Sequence, residues 1–277
     1  MTKTHRDEPS FHFISGLPRS GSTLLAAILR QNPRFHASMT SPVGEMFLTL
    51  LEAMSDRKET STFLDDATRQ RVLRGVVTSY YATNEAQVIF DTSRLWCSKL
   101  PALSGLFPRT RMIACVRDTS WIIDSIERLV RRNAYRPSGI FNFQAGGTVY
   151  SRATALASSD GLVGFAYDAL REACFGEHAQ RLLLVQYDTL VSSPRKALAA
   201  IYDFVGEPWF EHDFENVEFE EGKACDERLG TPGLHAVRRQ VRTETRASVL
   251  PQDLFRRFEG DAFWRHSGEG MPGVRII

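Results

Sequence analysis

Cysteine is scarce in this sequence and is spread too widely to build a disulfide framework or a zinc site. The four cysteines are Cys97, Cys115, Cys174 and Cys225, and no two of them form a CxxC pair. Zinc sites need closely spaced ligands, and disulfide-stapled domains need a denser cysteine pattern. The sequence therefore predicts neither, and Cys115, which lies in an apolar run, is expected to be a small core residue.

The chain also lacks a long hydrophobic run and a strong net charge. No apolar stretch reaches the roughly 18 residues that span a bilayer, and the polar residues 1–10 hold no signal-peptide core. The formal net charge is +1 for 277 residues, which argues against a broad nucleic-acid or membrane footprint. We therefore expect a cytoplasmic protein with no nucleic-acid or membrane partner, in which any anion site is a local cluster.

Short apolar segments alternate with helical segments along the chain. Strands are predicted at Phe11–Ile14, Val88–Asp91, Arg111–Val116 and Leu182–Val185. Helices are predicted at Ser22–Arg30, Thr119–Arg131, Leu162–Phe175 and Pro194–Val205. This alternation is typical of parallel sheets covered by helices. The sequence thus predicts an α/β fold with a P-loop-type parallel β-sheet, helices on both faces and a single domain over residues 1–277.

Two stretches show no such regularity. Tyr135–Gly147 is rich in Asn, Gln, Gly and aromatic residues, and we interpret it as a connection that is able to face a substrate. Glu207–Glu227 is acidic, and we expect a solvated connection that frays.

A glycine-bounded loop joins the first strand to the first helix. Gly16-Leu17-Pro18-Arg19-Ser20-Gly21-Ser22-Thr23 has the glycine spacing of the Walker A loop, G-x-x-x-x-G-K-[ST]. Ser22 stands where nucleotide triphosphatases place a lysine for the β and γ phosphates. The charge lies earlier, at Arg19, whose planar guanidinium suits bidentate contact with one phosphate or sulfate. Backbone N–H groups of the loop and of the following helix complete the predicted anion site.

The loop resembles a known nucleotide site. Residues 17–25 are similar to the 5′-phosphosulfate loop of sulfotransferases that use 3′-phosphoadenosine 5′-phosphosulfate (PAPS), in the arginine-bearing form of tyrosylprotein sulfotransferases and their bacterial relatives. The resemblance implies PAPS as donor, adenosine 3′,5′-bisphosphate (PAP) as product, no metal, and a hydroxyl-bearing acceptor. Leu17, Pro18, Arg19, Ser20, Gly21, Ser22 and Thr23 are the loop residues that it assigns to the donor.

Further motifs extend the resemblance. Arg117 follows a strand and Ser125 lies eight positions later, as in the family's 3′-phosphate motif. Tyr187 opens a segment similar to the family's Tyr-Glu-x-Leu-Val segment, in which the tyrosine packs near the adenine. Arg238 and Arg239 lie where related chains close over the 3′ end of the nucleotide. For Tyr187 a buried core residue, and for the arginine pair a solvated basic patch, are the alternative interpretations.

Sulfuryl transfer needs a base for the acceptor hydroxyl and a cation for the departing phosphate. We predict Glu45 as the base, since Ser41-Pro42-x-x-Glu45-x-Phe47 resembles the base segment of some carbohydrate sulfotransferases. In the tyrosylprotein enzymes the base is a glutamate at a fixed distance after the loop arginine, and this chain has Thr40 at that distance. His36 is the rival base. Arg94 is predicted as the leaving-group cation, where relatives carry a catalytic lysine, and Arg19 is expected to share that work.

Two other functions stay open at this stage. A P-loop kinase or nucleotide triphosphatase requires the lysine that Ser22 replaces. A catalytically inactive nucleotide-binding scaffold is compatible with the missing lysine and the displaced glutamate. The motifs concern the donor, which all acceptor classes share. A peptide tyrosine is the first candidate for the acceptor, ahead of a sugar and a small molecule.

Overall fold

The structure, a computed structural model, describes residues 8–55, 59–265, 271 and 273–277. Six parallel strands form one sheet in the order β2-β3-β1-β4-β5-β6. The strands are β1 (Ser10–Gly16), β2 (Phe35–Ala37), β3 (Val88–Thr92), β4 (Met112–Val116), β5 (Leu182–Gln186) and β6 (Arg275–Ile276). The predicted parallel sheet is confirmed, and the prediction missed only the short strands β2 and β6 at its two edges.

The described helices include the four that the periodicity predicts, with ends that agree within a residue. They are α1 (Ser22–Leu29), α2 (Val43–Ala53), α3 (Asp66–Tyr80), α4 (Leu100–Leu106), α5 (Thr119–Arg132), α6 (Val149–Ala157), α7 (Leu162–Phe175), α8 (Tyr187–Ser192), α9 (Pro194–Val205), α10 (Lys223–Arg228) and α11 (Gln252–Arg257). Across the described part of the chain, every helix falls short of the length and apolar character needed to cross a bilayer.

Alternate side chains of the buried strands point to opposite faces of the sheet, so the core has two layers. In β4, Met112 and Ala114 point into a cluster built with α2–α7, whereas Ile113 and Cys115 point into a cluster with α1, α8 and α9. Successive side chains of a strand leave on opposite faces, so a strand buried on both sides reads as a continuous apolar run. This packing confirms helices on both faces, and Cys115 is fully buried as expected.

The carboxyl end of β1 lies unusually close to β4. Gly16 has φ 99°, and a Cβ built on it would lie 2.3 Å from the carbonyl oxygen of Cys115. The N–H of Leu17 donates to that same oxygen at 2.9 Å. Glycine is needed at position 16 because of its positive φ and because a Cβ would clash with the Cys115 carbonyl. The hydrogen bond from Leu17 fixes where the following loop leaves the sheet.

The prediction that the acidic stretch 207–227 frays is wrong. His212, Val217 and Asp226 are all buried, with 3–5% of their surface exposed. His212 Nε2 lies 2.9 Å from the hydroxyl of Tyr202 on α9, and the Val217 N–H donates to the carbonyl of Arg239. Most acidic side chains of this stretch are exposed, but Asp226 is buried, and a few apolar and hydrogen-bonding residues hold the stretch to the fold.

Candidate active site

The predicted functional residues meet in one cleft at the carboxyl edge of the sheet. Because β3, β1, β4 and β5 are neighbours, Arg94, Arg19, Arg117 and Tyr187 follow four adjacent strand ends. All four line a cleft of about 1460 Å³, together with Glu45 and Ser125. Ligands of open α/β sheets bind at this edge, where strand order reverses.

The loop after β1 supplies unpaired backbone donors to the cleft. Gly21, with φ 97°, precedes α1, and no side chain caps the first N–H groups of that helix. Ser22 and Thr23 line the cleft beside them. Uncapped N–H groups and the positive end of the helix dipole favour an anion at this place.

Arg19 joins the two anion sites that the sequence analysis treated separately. Its backbone is in the left-handed region at φ 58°, its Nε donates to Ser125 Oγ at 3.2 Å, and its Nη1 donates to the carbonyl of Leu234. Arg117 Nη1 lies 3.4 Å from the carbonyl oxygen of Arg19. Ser125 therefore keeps its O–H free to donate to a phosphate oxygen while it accepts from Arg19.

The electrostatics of this cluster favour a bound anion. Desolvation, and after it the neighbouring charge of Arg117, lower the pKa of Arg19 to about 10. The pKa of Arg117 is also lowered, first by burial. An anion that lies between two neighbouring, desolvated guanidinium groups offsets the free-energy cost of their burial and mutual repulsion.

The ring of Tyr187 forms part of the cleft wall. The guanidinium of Arg117 lies over its ring, 4.0 Å from the ring centre. A Cβ at Gly21 would approach the Tyr187 ring to 3.2 Å, so the loop also packs against it. The structure thus brings Tyr187 to the loop and to Arg117, while leaving it half-buried in the cleft.

Other predicted loop residues contribute differently. Ser20 is fully buried and its hydroxyl lies 3.3 Å from the Pro18 carbonyl, so its side chain does not line the cleft. Leu17 is also buried, although it reaches the cleft wall together with Pro18. Only the backbone of Ser20 is available to an anion, because the hydroxyl is used inside the loop.

The two catalytic candidates, Glu45 and Arg94, line the same cleft and lie on elements that contact each other. Glu45 is exposed in the first turn of α2 and lines the cleft. Arg94 lies after β3, opens into the cleft, and has its pKa lowered by desolvation. Thr40, at the alternative offset, lines the cleft too, whereas His36 packs its ring on Tyr81 at 5.4 Å and is not part of the cleft wall. The geometry therefore does not support His36 as the rival base.

A buried carboxylate that no sequence motif marks holds the two segments that carry the candidates Glu45 and Arg94. Asp91, at the end of β3, is fully buried and accepts from Ser41 Oγ at 2.5 Å, Tyr81 Oη at 2.5 Å and Trp96 Nε1 at 2.6 Å. Burial raises the pKa of Asp91 despite these three donors. Ser41 Oγ also accepts from the N–H of Val43, which fixes the start of α2. An aspartate in an otherwise apolar strand was the available signal.

A second buried carboxylate, Asp124, ties the segment 246–249 to α5. It pairs with Arg246 and accepts from Ser248 Oγ at 2.9 Å and the Val249 N–H at 2.6 Å. Arg246 thereby reaches the cleft beside Arg117. The predicted Arg238 lines the cleft but pairs with Glu244 at 2.6 Å, and Arg239 faces away and donates to Asn216 Oδ1 at 3.0 Å.

The residues present fit the donor that the motifs imply. Uncapped N–H groups, two arginines, one free hydroxyl donor and an aromatic wall are the groups that recognise phosphates and a purine. Among the described side chains, no three His, Cys, Asp or Glu residues lie close enough to hold a metal ion.

Comparison with known proteins gives a family match and a similar fold. A family model described as "Sulfotransferase family" matches residues 12–211. Protein-tyrosine sulfotransferase 2 of Gallus gallus is 24% identical over 205 residues, which are 71% of this chain and 51% of that protein. The chain therefore spans about half the length of this curated relative. The solved sulfotransferase domain from the curacin biosynthetic pathway has a similar fold, with a TM-score of 0.50, 18% identity, and coverage of 73% of this chain and 75% of that one.

Proposed function

Because the chain belongs to the sulfotransferase family, we propose that it transfers a sulfuryl group from PAPS to an acceptor hydroxyl. The observation that carries the proposal is the cluster of Arg19, Arg117 and Ser125 at a P-loop without the Walker lysine. Two guanidinium groups and one hydroxyl suit a nucleotide with separate 5′ and 3′ anions. A triphosphate with magnesium calls for the missing lysine.

The proposed donor contacts divide between two ends of the cluster. The loop N–H groups, Ser22 and Thr23 hold the 5′ anion at the start of α1. Arg117 and Ser125 hold the 3′-phosphate, and Tyr187 offers its ring to the adenine. When bound, the donor supplies an activated sulfuryl group with a phosphate as its leaving group. Arg238 and Arg246 add positive charge from the segment that packs over the loop.

The chain's own groups then serve the transfer. Glu45 accepts the proton of the acceptor hydroxyl, since its carboxylate is exposed to the cleft at the start of a fixed helix. Arg94, with Arg19, stabilises the negative charge that grows on the phosphate oxygen. An arginine stays protonated, so Arg94 acts by charge and not by donating a proton.

We also propose that one domain carries the whole activity. β6 adds the final strand to the sheet and follows residues 230–249, which line the donor cleft. The carboxyl-terminal part thus contributes to both the sheet and the cleft beyond the residues that the family model matches, which supports the proposal.

Calorimetry tests the donor. Micromolar binding of PAP, tighter than binding of ATP with magnesium, is expected, because the site lacks the lysine for β and γ phosphates. Tighter binding of ATP with magnesium contradicts the proposal and favours a kinase. If PAP binds but labelled PAPS transfers sulfate to no hydroxyl compound, the chain is an inactive scaffold.

A further inference from the structure

The acceptor's place follows from where the catalytic candidates lie. A Cβ at Gly44 of α2 would lie 2.8 Å from Ser93 Oγ and 3.3 Å from Leu95 Cδ1, so α2 packs on the turn that carries Arg94. Leu48 lies one helical turn beyond Glu45 and lines the same cleft. An acceptor whose hydroxyl meets Glu45 must therefore place its body beside Leu48 and Leu95.

A second part of the cleft wall also carries apolar side chains, and it is held in place. It consists of Ile140 and Phe141 from the irregular segment, and Leu162 and Phe165 from the start of α7. Ile140, Phe141 and Leu162 pack on the main core with their other sides. The hydroxyl of Ser138 fixes the segment, because it lies 2.5 Å from Thr231 Oγ1 and accepts from the Ile140 N–H.

Charge is distributed unequally over the cleft. The wall elements around the acceptor, residues 39–48, 92–95, 139–144 and 155–165, contribute the charged side chains Glu45, Asp160 and Arg94. One positive and two negative groups give this end a formal charge of −1. The remaining arginines of the cleft come from the loop, from α5 and its preceding turn, and from the carboxyl-terminal segment: Arg19, Arg117, Arg128, Arg132, Arg238, Arg242 and Arg246.

We propose that the acceptor is an uncharged alcohol or phenol with an aromatic or aliphatic body, bound between α2 and α7. The inference rests on the proposed sulfuryl transfer and names its acceptor class. Half-buried apolar side chains gain free energy when such a body displaces water. An acidic peptide would instead bring negative charge to an end that is already negative. A sugar would find polar partners at Asn142, Gln144 and Ser158, but it would bury little of the apolar surface around Leu48 and Phe165.

The test is a binding comparison on the PAP-loaded full chain. The probes are 2-naphthol, a tyrosine peptide with two glutamates on either side of the tyrosine, and N-acetylglucosamine. We expect 2-naphthol to bind tightest of the three. Phe165→Ala should weaken it by at least about fivefold, since the substitution removes one aromatic wall, while the Kd for PAP changes by less than about twofold. Ile140→Ser should weaken it in the same direction, which covers the case in which Phe165→Ala does not fold.

Phe175→Ala is the matched control. Phe175 lies on the same helix, is 55% exposed, and is outside the cleft wall, so its loss should leave 2-naphthol binding unchanged. Tighter binding of the peptide or the sugar overturns the inference. So does 2-naphthol binding that is absent or indifferent to both wall variants. Failure of PAP to bind, with 2-naphthol still bound at the wall, would instead refute the proposed donor site.

Discussion

Replacing Asp91 with asparagine tests whether the buried carboxylate at the end of β3 organises the catalytic edge. One carboxylate oxygen accepts from both Ser41 and Tyr81, at 2.5 Å each, and the other accepts from Trp96 at 2.6 Å. An asparagine side chain has one acceptor oxygen and one amide group in these positions. If the oxygen keeps Ser41 and Tyr81, the amide N–H faces the indole N–H of Trp96, and a buried donor loses its partner.

The cost follows from these contacts. A hydrogen bond to a charged acceptor contributes about 1.5–3 kcal/mol, and an unsatisfied buried donor costs about 1–3 kcal/mol. The substitution therefore lowers the free energy of unfolding by about 2–4 kcal/mol. Urea titration followed by tryptophan fluorescence measures the loss.

Asp253→Asn is the matched control, because Asp253 is exposed and accepts only from Tyr150 at 3.1 Å in the contacts described. That variant should cost less than about 0.5 kcal/mol. Equal losses in the two variants would refute the argument. Tyr81→Phe supplies a second check, since it should cost clearly less in the Asp91→Asn background than alone if the two groups interact.

Three further predictions concern the loop, the adenine wall and a buried histidine. Gly16→Ala should lower the free energy of unfolding, measured by urea titration, by at least about 3 kcal/mol more than Gly206→Ala does. Both glycines have positive φ, but only at Gly16 would the added Cβ meet a carbonyl oxygen at 2.3 Å. Losses within about 0.5 kcal/mol of each other would contradict the clash. Tyr187→Ala should weaken PAP binding by about three- to tenfold in calorimetry through the lost ring, whereas Tyr187→Phe should not; equal loss in both would assign the effect to the hydroxyl. Burial lowers the pKa of His12 to about 4 from its ordinary 6.5. The neutral imidazole therefore contributes stability that is fully present above pH 6.5 and is lost as the pH falls toward 4. The full loss in the free energy of unfolding is about 3 kcal/mol. His12→Asn should flatten this part of the stability profile, and an unchanged slope would show that other groups cause it.

Most residues of the proposed donor site could be placed in one region from the sequence, because their signals are local. Glycine spacing sets the loop, and Arg117 and Ser125 lie on one strand-to-helix unit, so chain distance fixes their geometry. Four strands and four helices were predicted correctly because buried strands and amphipathic helices carry their own periodicity. The contact between Arg19 and Ser125 was not predictable, because 106 positions separate them and only the packing of β1 against β4 brings them together.

The proposed acceptor side of the cleft was harder to predict because it depends on side-chain contacts between distant elements. The sequence gives no relative position for Glu45 and Arg94, because that position depends on how α2 packs on the turn after β3. Asp91 has no motif, and its role becomes visible only when three donors converge on it. The acidic composition of residues 207–227 indicated a solvated connection, yet His212 and Asp226 hold that stretch to the fold through buried hydrogen bonds that composition does not show.

Calorimetry with PAP tests whether Arg19 and Arg117 together form the site for the nucleotide's two anions. We predict that Arg19→Ala and Arg117→Ala each weaken PAP binding at least about tenfold, a loss of about 1.4 kcal/mol. Arg275→Ala, which removes an exposed arginine paired with Asp203 on the far edge of the sheet, should leave the affinity unchanged. PAP binding that is absent, or that is indifferent to both loop and strand arginines, would contradict the account.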